Sequence, residues 1–345
     1  MRAVVLVGPR RLELREVADA EIAGETEVLL KIGCVGICGS DIHYYTQGRI
    51  GSQIVQYPFV LGHELSATVV KAGGAVRHVR PGDRVTVDPA IPCGGCDQCR
   101  IRRAHTCRNL RFLGCPGQAA GCLSEYLVMP AACCFPVKPQ TTLEEAAFVE
   151  PLSIGLYATR LSVPMTGARV AVLGCGPIGL SVVLHAKLQG AAAVYVTDKI
   201  DGRLAAARQA GASWAGNPMK QDIVRAITEK EPLLLDAVFE CCGQQEALDQ
   251  AVALLKPGGK LVLVGIPTVE RVSFAIDPLR RKEIVVQNVR RQNECVQAAL
   301  ELLESGRLRV DQFITHRFSL EQTAQAFELV AAYRDGVIKA MIHVS

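Results

Sequence analysis

The run Gly174-Cys175-Gly176-Pro177-Ile178-Gly179 sits where an apolar stretch at 170–173 gives way to a helical one reaching 188, and this junction restricts the fold more than any other segment. The first glycine permits a tight turn, the second lets the backbone approach a pyrophosphate, and the third allows close packing of helix on strand. The helix N-terminus then attracts the anion. Further β-like stretches at 193–197, 237–240 and 260–264 alternate with helical ones ending near 210 and 255, which predicts βαβ units and a doubly wound parallel sheet. Asp198 follows Gly179 by 19 residues, at the end of the next strand. A carboxylate there hydrogen-bonds the ribose hydroxyls of a dinucleotide and repels a 2′-phosphate, so NAD is expected over NADP. Lys199 works against that preference, and Arg203 either flanks the adenine or lies solvated on the next helix.

A chain of 345 residues has room for two domains. Its first 150 residues read differently from the alternating half: short Val-, Leu- and Ile-rich stretches at 2–7, 27–32, 64–71 and 84–87 are separated by Gly, Pro and Asp turns, which predicts a mostly β domain. After Pro139, Thr142 and Glu145 stand in capping-box spacing before an apolar helix at 143–161. Beyond the parallel sheet come a strand near 284–287, helices near 294–304 and 320–332, and a closing strand at 338–343, whose domain the pattern leaves open. Composition of 49% hydrophobic and 21% charged residues excludes disordered and collagenous classes. The net charge of +4 gives no reason to expect nucleic acid or a membrane surface as partner. The longest uncharged stretch, 170–186, is too short for a membrane span and is broken by glycines and Pro177.

Fourteen cysteines raise the question of disulfides. The first residues carry no signal-peptide core, so a cytoplasmic, reducing location is expected, where clustered cysteines bind metal or do chemistry. Cys93, Cys96 and Cys99 step by three and Cys107 follows eight residues later. Four thiolates so spaced can wrap one ion tetrahedrally and leave no place for substrate, the pattern of structural zinc. A zinc-ribbon nucleic-acid module competes on this evidence, favoured by Arg100, Arg102, Arg103, Arg108 and Arg111. A second set is dispersed: Cys38 in a glycine turn, and His63-Glu64 at the start of a strand. Such a mixed set leaves a metal position open for water or an alcohol, but spacing alone does not distinguish it from structural residues.

These segments, together with Glu150-Pro151-Leu152 and the glycine turn with Asp198, resemble in residue and order the zinc-dependent medium-chain alcohol dehydrogenases. The resemblance spans essentially the whole chain. The stretch from Asp41 through Gly51, followed by 58–64, is similar to the sorbitol and xylitol (polyol) branch, with the threonine dehydrogenase branch next. The resemblance implies an α/β chain made of a mostly-β GroES-like catalytic domain, 1–152 with 286–345, and a doubly wound Rossmann domain at 153–285. It implies Cys38, His63 and Glu64 as catalytic zinc ligands, with Glu150 holding the metal's water or exchanging with Glu64. Ser40 and His43 match a proton relay and Tyr44 a substrate-pocket position. Gly174, Gly176, Pro177, Ile178, Gly179, Asp198, Arg203, Val264, Gly265 and Ile266 make up the cofactor-binding set.

The implied reaction is oxidation of a secondary alcohol to a ketone with hydride transfer to NAD, using two zinc ions per chain, one catalytic and one structural. Arg291 matches a position that binds substrate hydroxyls in sorbitol dehydrogenases, but Gln292 replaces their aromatic residue. Arg290, an added cation there, suits a sugar acid; its alternative places are solvent and the cofactor phosphate. The expected substrate is therefore a polyol or a sugar acid, with L-threonine as the alternative. The resemblance also implies a homotetramer or homodimer. Of the remaining nine cysteines, Cys175 occupies a variable slot of the glycine turn and the other eight are expected to be small apolar residues of core or interface.

Overall fold

A computed structural model describes residues 1–344, which form two compact units: 1–150 with 296–344, and 151–295. In the first, seven strands make a mixed sheet in the order Cys134–Pro136, Arg84–Val87, Glu64–Ala72, Glu27–Gly36, Lys339–His343 and Ile314–Ser319, with Tyr126–Pro130 also pairing to Glu27–Gly36. Glu27–Gly36 is buried along most of its length because it is central. Leu30 and Ile32 belong to the same apolar core as Leu65, Val85, Leu123 and Phe327. Removing one such side chain to alanine costs about 2–5 kcal/mol.

Register in this sheet positions chemistry. Gly36 pairs with Glu64 on one side and with Met341 on the other. The closing strand thus lies beside the residues expected to bind metal, although about 275 residues separate Glu64 from Lys339. Strand Ile314–Ser319, parallel to that closing strand, has no counterpart in the sequence expectation. Its Ile-Thr-His-Arg-Phe-Ser run alternates weakly, since His316 and Arg317 interrupt the apolar period.

The second unit holds six parallel strands in the order Trp214–Gly216, Ala193–Thr197, Arg169–Leu173, Leu235–Glu240, Leu255–Leu263 and Val285–Asn288. The chain starts in the middle, steps outward through two strands, and returns to the other side. The reversal lies between Arg169–Leu173 and Leu235–Glu240, the place where doubly wound sheets receive a ligand at the strand C-termini. The strand foreseen near 284–287 closes this parallel sheet, so the expected division at 285/286 falls inside a strand. Helix Leu143–Arg160 starts as foreseen: Glu145 N–H donates to Thr142 Oγ1 at 3.1 Å and Thr142 N–H to Glu145 Oε2 at 2.9 Å. No helix among the described residues is long and apolar enough to cross a membrane.

Candidate active site

Cys38 caps the N-terminus of helix Gly39–Gln47. His63 and Glu64 enter the neighbouring strand. Their donor atoms and the Cys38 sulfur lie within 4.8 Å of one another, with His63 and Glu64 buried and Cys38 half-buried. One sulfur, one imidazole nitrogen and one carboxylate oxygen suit zinc and leave a fourth position for a small ligand. Glu150 is buried but falls outside this close set. Burial, reinforced by the charge of Glu64, pushes its carboxyl up to about 8, while His63 and Lys339 pull the other way.

Two buried residues that the sequence reading did not single out hold the trio. Asp41 accepts from the backbone N–H of Cys38 at 3.0 Å and of Gly62 at 3.2 Å, and its Oδ1 stands 3.5 Å from His63 Nδ1. That contact favours a proton on Nδ1 and frees Nε2 for a metal. Burial alone would lower the His63 pKa, but Asp41 and the Cys38 sulfur hold it well above the ordinary value. Lys339 donates to Glu64 Oε2 at 2.5 Å and to the Ile37 carbonyl at 3.0 Å. Its pKa is raised, because the charges of Glu64 and Cys38 outweigh burial. A Cβ at position 36 would collide with Glu64 Oε2, so Gly36 makes room for this arrangement.

Ser40 and His43 stand three residues apart on helix Gly39–Gln47 and therefore share a face. Burial lowers the His43 pKa, which keeps the imidazole neutral near pH 7 and able to accept a proton. Tyr44 is buried, and its hydroxyl donates to Gln53 Oε1 at 3.0 Å with Cys115 Sγ at 3.8 Å. Cys115 is buried as expected and borders the expected substrate-pocket residue Tyr44. Phe112 lies against the His63 ring at 5.2 Å between centroids.

The Cys93, Cys96, Cys99 and Cys107 sulfurs converge within 4.8 Å, with Cys96 3.6 Å from Cys99 and 3.8 Å from Cys107. Backbone N–H groups of Arg108 and Cys99 hold the Cys96 thiol down at about 6, and Cys93 is also lowered, chiefly by Gly95 N–H. Cys99 is pushed up to about 12 by burial and the adjoining sulfurs. Four thiolates this close need a cation, and the donor set fits a closed zinc site. Arg108 is occupied by Asp97 through two hydrogen bonds, one of 2.8 Å.

In the second unit Gly174 takes φ 93°, and a Cβ at Gly179 would strike the Gly174 carbonyl, so both glycines are sterically required. Gly176 caps helix Pro177–Leu188, whose first turn carries Pro177, Ile178 and Gly179. At Gly176 a Cβ would meet only Arg203, 3.5 Å away, which leaves the backbone approachable by a pyrophosphate. Asp198 accepts from Cys175 N–H and Ile200 N–H, both at 2.9 Å, and Arg203 Nη1 stands 4.0 Å from its Oδ2. Arg203 is largely buried, not a solvated helix residue. Val264 and Gly265 donate to the Glu240 carbonyl, and Ile266 is exposed. Arg291 adopts a left-handed backbone with φ 55°, while buried Gln292 accepts from Cys295 N–H at 2.8 Å. Gln292 thereby secures its own loop, and Arg290 is exposed.

A family model for the alcohol dehydrogenase GroES-like domain matches residues 24–139, and one for the zinc-binding dehydrogenase matches 177–305. The chain belongs to the zinc-dependent medium-chain alcohol dehydrogenase family and is an NAD(P)-dependent alcohol dehydrogenase. Within that family it is 34% identical to sorbitol dehydrogenase of Bacillus subtilis (strain 168) over 344 residues, 99% of this chain and 97% of the relative. Among solved structures, a Sinorhizobium meliloti 1021 chain assigned as a zinc-binding dehydrogenase and bound to NADP superposes with a TM-score of 0.91 at 32% identity, covering 99% of each chain. L-Idonate 5-dehydrogenase from Escherichia coli superposes at 0.92 with 25% identity, covering 99% of this chain and 98% of that one.

Proposed function

We propose that this chain oxidises a secondary alcohol of a polyol or sugar acid to the ketone, with NAD as hydride acceptor and two zinc ions, one catalytic and one structural. The convergence of half-buried Cys38 with buried His63 and Glu64 into one set of three donors carries the reading. Similarity to a sorbitol dehydrogenase and to L-idonate 5-dehydrogenase supports the substrate class. Asp198, engaged at both oxygens and unfavourable to a 2′-phosphate, supports NAD, although a structural relative carries NADP.

Zinc at such a centre supplies Lewis acidity toward an alcohol oxygen, and the nicotinamide cofactor supplies the hydride acceptor. The chain's own residues do the rest. Cys38, His63 and Glu64 hold the metal, and Asp41 fixes the imidazole so that its free nitrogen faces the other donors. Ser40 passes the hydroxyl proton toward neutral His43, which delivers it to solvent. Glu150, kept protonated near neutral pH by burial, supplies a hydrogen-bond donor or acceptor at the edge of the set. Tyr44 and Arg291 contact the substrate hydroxyls or carboxylate. The cofactor is held by Gly174 to Gly179, Asp198, Arg203 and residues 264–266.

A panel of pentitols, hexitols, aldonates and L-threonine, with NAD and then NADP, read at the NADH absorbance, tests this reading. A polyol or aldonate is expected to give the highest kcat/KM with NAD. Threonine as the best substrate would assign the chain to the other branch. For Asp198→Ala the preference for NAD over NADP is expected to fall by about tenfold, on the order of 1.4 kcal/mol; an unchanged ratio removes the ribose role from Asp198.

A further inference from the structure

Lys339 is among the most deeply buried charged residues of the chain, with 1% of its surface exposed, and its partner Glu64 is equally buried. Stability alone is a poor reason for such a pair, because desolvation of both ions offsets much of their attraction and apolar residues of similar size serve a core as well. The contacts of Lys339 point elsewhere. Its Nζ donates at 2.5 Å to Glu64 Oε2 and at 3.0 Å to the carbonyl of Ile37, the residue immediately before Cys38. It stands 5.9 Å from the centroid of the Phe148 ring, on the helix that carries Glu150. One ammonium therefore touches a donor side chain and the backbone leading into a second donor.

We propose that Lys339 is a positioning residue that acts on the metal through Glu64, keeping that carboxylate a weak and releasable ligand. The inference rests on the reading that Cys38, His63 and Glu64 bind zinc. Oε2 is committed to Lys339, which leaves Oε1 for a metal. A carboxylate whose charge is shared with an ammonium donates less to a cation, so the cation keeps more of its acidity for an alcohol oxygen. The added positive charge also opposes tight metal retention. Deleting it while retaining a hydrogen-bond donor should make the site hold zinc longer, the opposite of what loss of a merely structural lysine would do.

The test uses zinc-loaded enzyme mixed with a chromogenic chelator, with the slower and faster release phases assigned by comparison with Cys38→Ser and Cys96→Ser. Lys339→Gln, which keeps a donor without the charge, is expected to slow release of the Cys38-site zinc by about tenfold, and Lys339→Arg to stay within about twofold of the unmodified chain. Lys339→Met is the second charge-deleting variant and should also slow release. In cobalt-substituted protein the visible bands should shift in Lys339→Gln and be restored in Lys339→Arg. Release that is unchanged or faster in the charge-deleting variants overturns the proposal. So does failure of both to fold, because that assigns Lys339 to the fold. A parent chain that binds zinc only at the Cys93 lobe refutes the underlying metal reading instead.

Discussion

Asp41 joins three neighbours at once: the N–H that precedes the Cys38 side chain, the N–H of Gly62, and the His63 ring. Its carboxylate sits three residues after the helix cap, in capping-box spacing, so a local signal for it existed in the sequence. What the sequence did not display was Gly62 and His63 turning back onto the same carboxylate. Asp41→Asn should weaken zinc binding at the Cys38 site by about 10–100-fold while leaving the four-cysteine site loaded. Competition titration with a zinc chelator measures this, and equal affinity in the two proteins would reduce Asp41 to a helix cap. Lys339 left a fainter trace: a single cation in the apolar run Val337-Ile338-Lys339-Ala340-Met341-Ile342. Its meaning depends on Glu64, 275 residues away, and no local period reports such a partner.

Elements with short-range causes were legible. The helix at Leu143–Arg160 followed from its capping box, and the glycine turn at 174–179 from steric need. Strand Ile314–Ser319 escaped because its sequence alternates weakly, and what defines it is its pairing with Lys339–His343, which no local period reports. Helix Pro177–Leu188 carries a further consequence, in the wholly buried His185, whose Nε2 donates to the Leu152 carbonyl at 3.0 Å. Burial lowers its pKa to about 4, below the ordinary 6.5. Between those values the unfolded chain binds a proton that the folded chain refuses, so stability falls as pH drops from about 6.5 to about 4 and levels off below. The loss attributable to this residue is about 3 kcal/mol. His185→Gln keeps a donor for Leu152 and should flatten that part of the profile. Urea unfolding of both proteins at pH 7, 5.5 and 4 measures it, and parallel curves would contradict the assignment.

For the whole molecule, the two candidate metal sets differ in how far the chain must fold to make them. The Cys93 to Cys107 lobe is drawn from 15 consecutive residues, which is why its spacing alone announced it. The Cys38 set needs a helix cap and a paired strand, so it became readable only through family resemblance. Cys96→Ser is expected to leave about one zinc per chain and to lower the melting temperature by about 5 °C or more, since structural zinc contributes directly to folding. Metal analysis with thermal unfolding checks both, and two retained zinc ions would refute the four-cysteine assignment. The sheet order adds a consequence for biosynthesis. Residues 151–295 form a contiguous unit, complete as soon as they have been made. The other unit awaits its central partner strand Lys339–His343, and Lys339 is polymerised 302 residues after Ile37. At about 5–20 residues per second that interval is on the order of 15–60 s. On the ribosome, then, the unit that carries Cys38, His63 and Glu64 closes after the contiguous one, once the strand bearing the ammonium that faces Glu64 has been made.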